Sequence, residues 1–129
     1  MRRRHLARVD DHHRRRFERL VRVALRRLPR GLGRFLDNVA ILTADLPTPE
    51  QRATAGIEAD EELLGLYEGI PVTQRSASYS MVIPDRITLF RRAIEAECQT
   101  DIELVEEIRK TIVHEVAHHC GFEEEQLPF

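Results

Sequence analysis

Residues 100–121 read TDIELVEEIRKTIVHEVAHHCG, and the architecture follows from this stretch outward. Thr100 followed three residues on by Glu103 is the pattern of a capping box, and Asp101 adds negative charge where the helix dipole favours it. Ile102, Val105, Ile108, Ile112 and Val116 recur at spacings of three and four. That predicts one long amphipathic helix with this stripe buried. Gly121 supplies the left-handed residue that ends it.

The last turns of the predicted helix carry His114, Glu115 and His118. Residues four apart project from the same helix face, so the two histidines can reach one ion, and zinc accepts imidazole nitrogen readily. Glu115 leaves the helix in another direction and can meet a water at the ion, which is where a general base is required. The reading is metal-assisted hydrolysis of a peptide or protein substrate, with one Zn2+ on His114 and His118 and Glu115 as the catalytic base. A third ligand is needed. Gly121 lets the chain reverse, and the count His118-x-x-Gly121-x-x-Glu124 makes Glu124 the first choice, with Glu123 and Glu125 as neighbouring alternatives. His119 points about 100° away from His118 and is expected to pack rather than ligate. Cys120 is expected to be a small buried residue. Tyr67 and Tyr79 are candidate oxyanion donors, with ordinary packing the stronger expectation for both.

Upstream, Phe17, Leu20, Val21, Ala24, Leu25 and Leu28 form a helical stripe over 13–28, stopped by Pro29 and Gly31. Residues 1–12 are polar and Arg-rich and are expected to fray, leaving 13–129 as one domain. Strands are predicted over 39–44, 63–67 and 86–90, and the last of these is expected to be an exposed edge on which an extended substrate aligns. Residues 47–60 read as a polar loop with at most a helical turn, and 93–98 as a short helix.

Residues 1–34 hold thirteen Arg against Asp10, Asp11 and Glu18, a local charge of +10 that the remainder offsets with −12. Such a split can mark a nucleic-acid surface. No aromatic residue interleaves the Arg run as base stacking requires, so the preferred reading is a basic helix that faces solvent, or that pairs with the acidic remainder of the same chain or of a second copy in a homodimer. There is no run of about twenty apolar residues, so no membrane span is expected. An Arg-rich start without an apolar stretch is not a secretory signal, and cytoplasmic residence is the expectation. The two cysteines, Cys98 and Cys120, are expected near opposite ends of the last helix as free thiols.

Four blocks carry a resemblance: LDNVA at 36–40, LGLYEG at 64–69, PDRITLFRR at 84–92, and TIVHEVAHH at 111–119 with Gly121. In combination they resemble the zincin-like metallopeptidase family of short bacterial proteins, over about residues 17–127. The resemblance implies an α+β fold, a minimal zincin with an N-terminal helix and a small mixed β-sheet packed on the C-terminal active-site helix. It implies zinc on His114 and His118 with Glu115 as base. The family pattern has Asp as third ligand where this chain has Glu124, one methylene longer. The alternative class is a non-catalytic metal-binding or partner-binding protein with the same fold.

Overall fold

A computed structural model describes residues 2–57, 61–69 and 84–121. Phe17, Leu20, Val21 and Ala24 are buried along helix α1 (Arg2–Arg26), as their spacing requires. The helix does not start near residue 13; it runs back to Arg2, through the segment expected to fray. Residues 2–12 contain neither Gly nor Pro to break it. Asp10 also anchors that part, lying 3.6 Å from the Arg92 guanidinium. A 3-10 turn (Arg30–Phe35) follows Pro29 and buries Leu32 completely. Asn38, at φ 59°, then turns the chain into β1 (Val39–Ala44).

The remaining described elements are α2 (Pro49–Ala55), β2 (Gly65–Glu68), β3 (Asp85–Phe90), α3 (Arg91–Ala96) and α4 (Asp101–Cys120). The stretch over 47–60 is thus more than a loop. Thr48 accepts from the Gln51 N–H at 3.0 Å while Gln51 accepts from the Thr48 N–H at 2.9 Å, Pro49 opens the helix, and Gly56 at φ 70° closes it. That reciprocal cap is legible as Thr48-Pro49-x-Gln51, a signal that outweighs the polar composition of the stretch. The short helix α3 begins two residues earlier than 93–98.

The sheet is mixed, in the order β1-β3-β2, with β1 parallel and β2 antiparallel to β3. This corrects the expectation of an exposed edge at 86–90. β3 is the central strand and its backbone groups serve both neighbours. Its burial agrees, since Ile87 and Leu89 on one face and Thr88 and Phe90 on the other are all covered.

Helix α4 ends at Gly121 as expected, and of the expected capping box the Thr100 half forms, the Glu103 side chain accepting instead from the Gln99 N–H at 3.3 Å. The Thr100 hydroxyl accepts from the Glu103 N–H at 3.1 Å, and Gly121 adopts φ 77°. Leu104, Val105, Ile108, Ile112 and Val116 enter the core with Phe17, Leu20, Val21, Leu32, Ile87 and Leu89. Ile102 does not, being 79% exposed. It lies about 120° around the helix from Ile108, outside the buried arc. Both cysteines are free thiols, and Cys120 is exposed rather than buried, lying about 120° around the helix from Ile108. The α+β arrangement implied by the family blocks is the one observed. Among the described residues no helix is long and apolar enough to cross a membrane.

Candidate active site

The site forms where α4 crosses β2, and a glycine sets the separation. A Cβ on Gly65 would lie 2.7 Å from Cγ2 of Thr111 and 3.3 Å from the Thr88 carbonyl oxygen. Only a residue without a side chain lets helix and strand approach this closely. Two residues on, the Tyr67 N–H donates to Oε1 of Glu115 at 3.0 Å. Leu64, Leu66 and Glu68 stand at the ladder positions bonded to β3, as the Phe90 N–H to Leu64 carbonyl bond of 2.9 Å indicates. The Tyr67 N–H therefore faces the outer side of β2, and Glu115 satisfies it.

Glu115 is only 9% exposed, and burial holds its carboxyl above the ordinary glutamate value. The Tyr67 N–H and the positive character of His114 and His118 act in the opposite direction but are smaller. His114 and His118 are both exposed on the neighbouring face of α4, with ring centroids 6.4 Å apart and planes inclined by 35°. An ion bonded to both rings at tetrahedral angles would bring the centroids to about 5 Å. Rotation of two exposed side chains covers that difference, so the pair suits zinc in donor type and reach. Among the described residues no group of three or more His, Cys, Asp or Glu is placed to hold a metal ion. The expected third ligand, Glu124, and its alternatives Glu123 and Glu125 lie outside the described residues, as does Tyr79.

Tyr67 is held on two further sides. Its hydroxyl donates to Oδ2 of Asp85 at 2.8 Å, and its ring stacks on His119 at 3.8 Å between centroids and 13° between planes. His119 thus packs, as its direction on the helix implied. Tyr67 acts here through its main-chain N–H and its stacked ring. The residues that sequence reasoning left unassigned are Gly65 and this N–H, and the available signal was the Gly65-x-Tyr67 spacing within a short strand. Beside the site runs a groove of about 620 Å3, with Leu63, Leu64 and Gly65 on one wall and Lys110, His114 and Glu115 on the other.

The Arg-rich helix pairs within the molecule where it meets the rest of the fold. Arg14 donates to Asp45 at 2.9 Å and Arg16 to Asp101 at 2.8 Å.

The family model described as zincin-like metallopeptidase matches residues 36–128. Among solved structures, a conserved hypothetical protein from Thermo thermophilus is similar at 23% identity and a TM-score of 0.47, over 81% of this chain and 91% of its own. No curated protein matches the chain.

Proposed function

From the premise that the chain belongs to the zincin-like metallopeptidase family, we propose that it is a zinc-dependent peptidase. In this reading His114 and His118 hold the ion with Glu124 as third protein ligand, and Glu115 is the base. Zinc, when bound, supplies a Lewis acid that polarises a carbonyl and acidifies water.

The chain's own residues supply the rest. The Tyr67 N–H holds Oε1 of Glu115, which leaves Oε2 as the oxygen that receives a proton. Glu115 takes that proton from the attacking water and later returns it to the nitrogen of the leaving amine. Burial from water and the hydrogen bond from the Tyr67 N–H hold this carboxyl in place for both transfers. The substrate lies in the groove between residues 62–65 and α4, which ends at His114 and Glu115.

The observation that carries this reading is a buried, tethered carboxylate next to two exposed imidazoles one helical turn apart. The test is cleavage of a peptide library alongside zinc content. Wild-type protein is expected to bind stoichiometric zinc and cleave in a chelator-sensitive way. Glu115→Gln is expected to keep the zinc and lose about 10²–10⁴-fold in rate. Hydrolysis that survives in Glu115→Gln with unchanged zinc rules out Glu115 as base. Stoichiometric zinc without cleavage favours the non-catalytic reading.

A further inference from the structure

The sheet has two outer strands among the described residues, and only β2 belongs to the candidate site. β1 lies at the far edge, with β3 on one side and, among the described residues, no strand on the other. It reads VAILTA, with no charge, glycine or proline. Natural edge strands are blunted by Lys, Pro or bulges because their free N–H and C=O groups template pairing with another strand. None of those devices is present here. Leu42, in the middle of β1, is 44% exposed.

Alongside this edge, α1 forms the second wall of a groove of about 500 Å3, lined by Val21, Leu25, Ile41 and Leu42 and rimmed by Glu18 and Arg22. The helix runs antiparallel to the strand. Arg14 bonds Asp45 just past the strand's C-terminal end, Glu18 lies beside Thr43 and Ala44, and Arg22 and Leu25 lie toward Ile41. Glu18 and Arg22 are exposed, and neither has an ion-pair partner among the described residues. They present opposite charges one helical turn apart along the rim.

We propose that this edge binds a second copy of the chain, β1 pairing antiparallel with its twin about a two-fold axis near Leu42. A two-fold axis reverses the order of groups along the rim, so Glu18 of each copy meets Arg22 of the other. The rim is thereby self-complementary, and the open ladder of each β1 is satisfied by strand addition. Leu42 of the two copies lies at the centre, out of water. The candidate sites beside β2 stay at the outer ends of the joined sheet, so the inference is independent of the peptidase reading.

Sedimentation of the full chain tests it. At about 100 μM the mass is expected to be twice the 15.0 kDa of the chain. Glu18→Arg and Arg22→Glu are each expected to weaken the dimer by about tenfold or more, and the double exchange to restore it to within about threefold. Leu42→Lys is expected to give a monomer with unchanged far-UV circular dichroism. A wild-type monomer at that concentration overturns the proposal. So does a dimer indifferent to Leu42→Lys, or a double exchange that restores nothing.

Discussion

Glu115 is nearly out of water while His114 and His118 on the same helix are exposed, and the contrast comes from a turn of about 100° between adjacent residues. Glu115 faces the sheet, where burial disfavours its charge and the Tyr67 N–H recovers part of that cost. The imidazoles lie on the exposed face of the helix. Replacing either His114 or His118 by Ala is expected to reduce zinc retention by more than about a hundredfold while leaving the fold intact, because each is exposed and outside the core. Zinc content after dialysis, read beside circular dichroism, checks this. Unchanged zinc in either variant removes that histidine from the ligand set. At this scale much was legible beforehand: a spacing of four places two side chains on one face in any α-helix. The carboxylate's partner was not legible, because it is a main-chain group forty-eight positions away in sequence.

Helix α4 and strand β2 meet through Gly65 and Thr111, and the contact leaves no room for one more carbon. Gly65→Ala is expected to cost about 1–3 kcal/mol, the range for overpacking, as the new methyl pushes against Cγ2 of Thr111 and the Thr88 carbonyl. Thr111→Ser removes that methyl and, in the Gly65→Ala background, is expected to recover most of the loss. Urea unfolding of the two single variants and the double variant measures the coupling, and strictly additive costs would contradict the contact. The ends of α4 and β1 followed local rules closely. Thr100 and Gly121 cap α4 as read, and β1 spans the predicted residues 39–44. Ile102 failed because it lies about 120° around the helix from Ile108, outside the buried arc, while Leu104 in the same turn faces the core.

Across the whole molecule, one buried guanidinium ties the N-terminal helix to the sheet and to α3. Arg91, 4% exposed, donates from Nε to Asp45 at 2.8 Å and from Nη1 to Glu95 at 2.9 Å, while Arg14 of α1 bonds the other Asp45 oxygen. These hydrogen bonds, that from Arg91 foremost, hold the Asp45 carboxyl below its ordinary value. The folded state therefore binds the Asp45 proton less tightly than the unfolded chain does. The stabilisation is complete above the ordinary aspartate range and is lost as pH falls through the lowered folded value. Asp45→Asn is expected to cost about 2 kcal/mol at pH 7, since it leaves Arg91 buried with one carboxylate fewer. The gap from wild type is expected to close as pH falls through the lowered folded value of Asp45. Unfolding curves between pH 2 and 7 check both the size and the sign, and a gap that widens on acidification contradicts the assignment.

Period and punctuation alone determined the helix stripes, the caps of α4, the limits of β1 and the placing of His114 and His118 on one face. Each of these depends on residues within a turn or two of one another, where backbone geometry is the only constraint. Tertiary structure decided that β3 is the central strand and β2 the strand beneath α4, that the Tyr67 N–H engages Glu115, and that helix persists back to Arg2. Those outcomes depend on pairings between distant segments, such as 39–44 with 85–90. Hydrophobic patterning says which side of a strand is buried, but it does not say which strand lies beside it.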